Sequence, residues 1–315
     1  MPLSTSSSNP RSANGAIALL LASLLVWLVV VESGARLLVN PASKVQRRVE
    51  GERVAALALR RGAAQRQRTL LLVGNSLLLE GVDVPDLVRM TQHRWLIQRF
   101  VVENTSYLDW HFGLRRLFEE GSHPDVALLM LSPGNFSAST TRGDYFARYL
   151  MRTNDLPAVM QTAQLHPTIG SGLLLARYSV FYALRSEFRK QVSLRMIPGL
   201  ERLLGKFARY TGAAGAGTAA TRSELLRKRA DEIAELSRDY SVPIHLVIPP
   251  SGSSPLLALD EKAVLDAVAR SGMQGILPLP SSDTQPDQFA DGFHLNENGR
   301  AAFTSKLAQA ILALP

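Results

Sequence analysis

The residues of this 315-residue chain that could do chemistry sit in short polar stretches that interrupt apolar runs. In "LLLVGNSLLLEGVD" (70–83), an apolar run stops at Gly74-Asn75-Ser76 and a second begins at once. Near the end of the chain, "DGFH" places Asp291 and His294 in D-x-x-H spacing, within hydrogen-bonding reach inside one turn. A serine hydroxyl is a weak nucleophile and needs a base close by. Imidazole is the usual base, and a carboxylate fixes its tautomer and orientation. Ser76, His294 and Asp291 are therefore the candidate nucleophile, base and orienting acid of an acyl transfer. That chemistry also needs donors aimed at a developing oxyanion. The Ser76 N–H, a loop N–H near Ser106, and Asn135 through its N–H or its side chain are the candidates.

Taken singly, each residue has a plainer role. Serine is favoured as a helix N-cap. Asp291 precedes Gly292 and suits a turn. His294 alone reads as a structural histidine, and Asn135 as a turn former. "NTS" and "NFS" are also glycosylation sequons, which matter only in a eukaryotic secretory pathway. What joins these residues is their order along the elements that must carry them.

Short apolar runs predict strands over 69–74, 95–104, 124–135, 243–250 and 275–280. Helical spacing predicts helices over 107–121, 221–241, 260–272 and 296–314, with a broken helical stretch over 76–92 where Pro85 suits a helix start. Strand and helix alternate, which predicts a parallel sheet with helices on both faces. Ligands of such sheets bind beyond the carboxyl ends of the strands. Ser76, Ser106, Asn135 and the Asp291–His294 turn all follow strands, so topology alone gathers them on one rim. Residues 137–220 break the alternation and read as a helical insertion, closed by a flexible linker at 211–221. Its basic part, 177–195, reads as a solvated face or as a contact for a membrane surface or anionic glycan.

In this order the motifs resemble those of the SGNH (GDSL-like) hydrolase superfamily. "VGNS" looks like the first block, with Asn75 where the family often has Asp. "SPGN" looks like a degenerate third block, and "DGFH" matches the Asp-x-x-His block. The glycine of the second block is not evident; Thr105 or Ser106 stands in its place. The resemblance covers 69–135 and 243–314 and leaves the insertion outside. It implies a three-layer α/β/α, flavodoxin-like fold with a five-stranded parallel sheet over 69–315. It also implies a serine esterase or acyltransferase with Ser76, His294 and Asp291 as triad, and no metal or organic cofactor.

The N-terminal part adds a membrane. Residues 1–15 are rich in Ser, Pro and Asn and read as disordered. Residues 16–38 begin with "AIALLLASLLVWLVVV" and read as a transmembrane helix retained as an anchor, rather than as a cleaved signal peptide. Residues 39–68 are charged, lack a strong apolar face, and read as a mostly solvated juxtamembrane stalk. Basic residues follow the span more than they precede it, which taken alone places the C-terminal part in the cytoplasm. An anchored SGNH-like domain instead resembles the partners of membrane-bound O-acyltransferases in alginate acetylation and D-alanyl transfer to teichoic acids. That resemblance implies a single pass through a bacterial inner membrane and a periplasmic domain. It also implies an acylated glycan or other acyl ester as substrate, and a membrane-bound O-acyltransferase as partner. A catalytically degenerate binding or scaffolding subunit is the alternative.

Composition sets the remaining bounds. Apolar residues make up 46%, enough for a sizeable core. The absence of cysteine excludes disulfides and thiolate metal sites. The net charge of +8 fits nucleic acid or an anionic membrane or polymer; the apolar N-terminus favours the second, so no nucleic-acid partner is expected. "GLERLLGKF" lacks the spacing of a phosphate-binding loop, and no H-E-x-x-H occurs among the six histidines.

Overall fold

Five apolar runs pair as one parallel sheet in the computed structural model, which describes residues 10–60, 67–183, 185, 219–252 and 255–314. The strands are β1 (Arg68–Gly74), β2 (Trp95–Val101), β3 (Val126–Met130), β4 (Ile244–Val247) and β5 (Gly275–Ile276). They lie in the order β2-β1-β3-β4-β5. The helices are α1 (Pro10–Ala42), α2 (Lys44–Leu57), α3 (Ser76–Gly81), α4 (Val84–Met90), α5 (Tyr107–Glu119) and α6 (Pro133–Ser137). After the turn at Phe146–Leu150 come α7 (Leu156–Thr162), α8 (Pro167–Tyr178), α9 (Ala219–Asp239), α10 (Pro255–Arg270) and α11 (Glu297–Leu312).

The continuous apolar runs are explained by burial on both faces. Leu71 and Val73 of β1 join Phe100, Ala127 and Leu129 on one face, under α2, α5, α9 and α10. Leu70 and Leu72 join Leu128 and Met130 on the other, under α3, α4 and α11. Each fully buried leucine contributes roughly 1.5–3 kcal/mol relative to exposure. The expected α/β/α architecture with a five-stranded parallel sheet is the one observed. Several strands end earlier than expected. β3 stops at Met130 as Ser132 caps α6, which Pro133 begins, and β2 stops at Val101 before Asn104 turns to φ +58°.

The segment expected as a solvated stalk is not one over Lys44–Leu57. α2 packs against β2, with Val49 and Ala56 buried beneath it. β2 is an edge strand, and unpaired edge groups invite aggregation. Here α2 covers them. Glu52 accepts from the Val101 N–H and from Arg99 Nε, both at 2.9 Å, while Arg48 donates to the Val101 carbonyl at 3.1 Å. Residues 61–66 lie outside the described residues.

α1 extends beyond the expected 16–38, beginning at Pro10 and ending at Ala42. Within it, Asn14–Leu37 is long and apolar enough to cross a membrane, and none of its most apolar 18-residue window is buried. Residues 10–15, expected to be disordered, are instead the first turns of α1; residues 1–9 of that expectation, and 186–218, the centre of the expected insertion and most of its linker, lie outside the described residues. In the basic segment expected as a solvated face, Arg185 donates to Asp144 at 2.9 Å and lies 3.6 Å over the Tyr182 ring.

Gly74 marks the closest approach of β1 and β3, since a Cβ there would sit 2.6 Å from the Met130 carbonyl oxygen. Gly74→Ala is therefore expected to destabilise the fold by roughly 1–3 kcal/mol, the usual range for forced overpacking. The check is a shift of the denaturant midpoint at unchanged slope. A midpoint equal to that of the parent chain contradicts this packing.

Candidate active site

β1 delivers Ser76 to the rim, and Asn75 sets it free. The Asn75 side-chain oxygen accepts the Leu77 N–H at 3.0 Å, so Asn75 is the N-cap of α3. Its Nδ2 donates to the Thr105 carbonyl at 3.0 Å, tying the loop after β1 to the loop after β2. Ser76 is thus the first helical residue and not the cap. Its hydroxyl is released from capping, and its N–H, at a helix start, has no intrahelical acceptor.

The Asp291–His294 turn comes to meet it. His294 Nε2 lies 2.9 Å from Ser76 Oγ, across 218 positions of sequence, and His294 Nδ1 lies 2.8 Å from Asp291 Oδ2. The other carboxylate oxygen accepts the backbone N–H of Phe293 at 2.9 Å and of His294 at 2.7 Å. Burial disfavours the Asp291 carboxylate, but the His294 N–H, the His294 ring and the Phe293 N–H outweigh it and hold it down to about 2. The carboxylate is ionised and points its charge at Nδ1, which leaves Nε2 to accept the Ser76 proton.

The turn is held by its own frame. Phe289 and Leu295 pair as an antiparallel bridge, and the Ala290 N–H donates to the His294 carbonyl at 2.8 Å. Asn296 caps α11 by accepting the Gly299 N–H at 3.1 Å. Gly299 has to be glycine: a Cβ would collide with the Gln288 carbonyl and stand 2.8 Å from Leu295 Cδ2. Leu295 in turn packs near Gly81 of α3, beside Phe303. The helix that bears Ser76 and the turn that bears His294 therefore share one patch of core.

The other candidates divide. β1 and β3 are in register at Gly74 and Met130, so Ser132 and Asn135 follow β3 on the same rim. The Ser132 hydroxyl accepts the Asn135 backbone N–H at 3.3 Å and donates to Asn135 Oδ1 at 2.7 Å. The Asn135 main-chain N–H is thereby occupied, while its Nδ2–H2 end is left as the donor available to a ligand. Ser106 is turned inward. Its N–H donates to Asp109 Oδ2 at 2.8 Å and its hydroxyl to the Thr140 carbonyl at 2.5 Å. The expected oxyanion N–H at Ser106 is corrected accordingly, because a capping box consumes it. The spacing Ser106-x-x-Asp109 carried that signal in the sequence. Burial pushes Asp109 up to about 7, against the N–H bonds from Arg142 and Ser106.

Sequence reasoning did not find the cap role of Asn75 or the orienting role of Ser132. Among the described residues no three or more of His, Asp and Glu gather as metal ligands.

Because the folded Asp291 value, about 2, lies below the ordinary carboxylate value of about 3.9, ionisation favours the folded state. That contribution is complete above about pH 4 and is lost as pH falls through the folded value. The difference in unfolding midpoint between the parent chain and Asp291→Asn should hold steady near neutrality and close between about pH 4 and pH 2. A difference that does not change over that interval contradicts the assignment.

No family model matches the chain, and no curated protein matches it in sequence. Among solved structures, it is similar to LAE5, an alpha/beta hydrolase enzyme from the metagenome of Lake Arreo, Spain. The identity is 13%, with 78% of this chain and 97% of that chain covered and a TM-score of 0.41. It is also similar to a mutant of Axe2, an acetyl-xylooligosaccharide esterase from Geobacillus Stearmophilus. There the identity is 11%, with 79% and 95% covered and a TM-score of 0.39. Both likenesses are remote, and the chemistry of the rim stands on its own geometry.

Proposed function

We propose that the chain is a serine esterase or O-acyltransferase, held to a membrane by α1 and acting on acyl groups of cell-surface polysaccharide. The observation that carries the catalytic part is the relay Ser76–His294–Asp291, at 2.9 Å and 2.8 Å. Ser76 Oγ attacks the acyl carbonyl while His294 Nε2 takes its proton. The oxyanion accepts hydrogen bonds from the Ser76 N–H and from Asn135 Nδ2. Collapse breaks the ester bond, and His294 returns the proton to the departing alcohol. Ser76 now carries the acyl group. Water, or a sugar hydroxyl, then attacks with His294 again as base and frees the serine. Asp291 keeps the ring oriented throughout and stabilises its protonated form.

The membrane part of the reading rests on Asn14–Leu37, 24 residues that include an 18-residue window of mean hydropathy 2.4 with none of its residues buried. At ~1.5 Å per residue such a helix exceeds a ~30 Å hydrocarbon core. The polysaccharide substrate, the periplasmic placement in a bacterial inner membrane and a membrane-bound O-acyltransferase partner are supported by the motif order combined with that span. Exposed Phe293, whose ring meets His294 edge-on at 5.1 Å, offers an apolar surface beside the nucleophile.

A second reading, a scaffolding subunit with relic motifs, is favoured by one observation: the Ser106 N–H is unavailable, so the oxyanion has fewer donors. One experiment separates them. The parent chain should hydrolyse a small acetyl ester, and Ser76→Ala should lower kcat by roughly 10⁴-fold or more while leaving the unfolding midpoint in place. Equal turnover by both proteins would sink the esterase reading.

A further inference from the structure

Arginines far apart in sequence line a single cavity of about 240 Å³ beside the foot of α1. They are Arg36 of α1, Arg53 of α2, Arg116 of α5, Arg148 of the turn at Phe146–Leu150 and Arg177 of α8, with Glu50 as the acidic lining residue among those described. Guanidinium groups gathered this way repel and lose hydration, so each needs compensation. Three have it. Glu120 pairs with Arg116 at 2.7 Å and also with Arg53, and Glu32 pairs with Arg36 at 2.8 Å. Among the described residues Arg148 and Arg177 form no ion pair, and the buried Arg148 Nη1 and Arg177 Nε have no hydrogen-bond partner. Burial, helped by the neighbouring Arg177 charge, holds the Arg116 guanidinium below its ordinary value although Glu120 opposes this. Two buried guanidinium donors beside this void therefore lack an anion among the described residues.

The chemistry of that anion follows from the donors and from the place. Guanidinium forks match the oxygens of a phosphate group, which accepts paired N–H bonds. At ~30 Å³ per water-sized group the void has room for a phosphate with its ester oxygens. Arg36 is the residue before the end of the apolar stretch Asn14–Leu37. The wall of the cavity is tied to α1: Arg36 donates to the Tyr178 carbonyl at 3.1 Å, and Glu32 accepts the Val180 N–H at 2.9 Å and the Ser179 hydroxyl at 2.8 Å. If α1 spans a bilayer, the cavity stands at headgroup depth, whichever way the helix crosses. It is separate from the Ser76 rim, since α5 leaves that rim at Tyr107 and carries Arg116 about 14 Å further along its axis.

We infer that this five-arginine cavity is a binding site for a phosphate group, presented by an anionic phospholipid headgroup or by a free phosphate. The lipid source, though not the site, rests on the anchored reading of α1.

The test uses the full chain in a neutral detergent, at ionic strength held constant with potassium chloride so that screening is the same throughout. The thermal midpoint is followed against inorganic phosphate, short-chain phosphatidylglycerol and short-chain phosphatidylcholine. The parent chain should show a saturable rise with phosphatidylglycerol, with phosphate, or with both. Both together assign recognition to the phosphate group itself, phosphatidylglycerol alone to a lipid headgroup, and phosphate alone to a soluble phosphate. Without ligand, the double variant Arg148→Gln/Arg177→Gln should unfold at or above the parent midpoint, because its buried charges are gone. It should need at least tenfold more ligand for the same shift. If the double variant does not fold, Arg177→Lys, which keeps the charge and loses the fork, should need several-fold more. The inference is overturned by no saturable rise, by an equal rise with phosphatidylcholine, or by an unchanged response in the variants. Ser76→Ala should respond as the parent does, which keeps this result independent of the catalytic reading.

Discussion

One hydrogen bond, from Ser76 to His294, closes the candidate active site, and the rest of the fold is arranged so that it can form. Neither residue is placed by its own side chain. Ser76 is placed by a strand that ends in Gly74, where any Cβ would strike the Met130 carbonyl of β3, and by Asn75, which takes over helix capping. His294 is placed by a turn clamped between a short bridge and the start of α11, where only glycine fits at 299. The two meet because Leu295 and Gly81 lie in the same patch of core. A change that loosens that patch acts on the relay without touching it.

Much of this was legible in the sequence, and the reasons are physical. Strands buried on both faces must be continuously apolar, so β1, β3 and β4 announced themselves. The parallel sheet followed from alternation, and the rim from the rule that loops at carboxyl ends converge. Ser106 shows the limit. Its position after β2 was right, but Asp109, three residues on, takes its N–H, and a capping box written in the sequence outweighs a positional guess. α2 shows another limit. Its few apolar residues suggested a solvated helix, because it docks through Arg48 and Glu52 onto backbone groups of β2. Backbone partners leave no trace in an apolar pattern.

The arginine cavity was not legible at all. Arg36, Arg53, Arg116, Arg148 and Arg177 come from separate elements, and each alone reads as a surface charge. The net charge of +8 hinted at an anionic partner without saying where it would sit. Folding concentrates part of that charge beside α1. The arginine cavity and the Ser76–His294 rim thus lie towards opposite ends of α5.

The central claim is that an imidazole from the tail of the chain activates an alcohol near its start. The most direct measurement is mapping, by peptide mass spectrometry, of the adduct formed with a serine-reactive fluorophosphonate on the parent chain and on His294→Ala. The relay predicts one adduct, on Ser76, and its loss when His294 is removed although the serine remains. An adduct elsewhere, or equal labelling of Ser76 in both proteins, would contradict it.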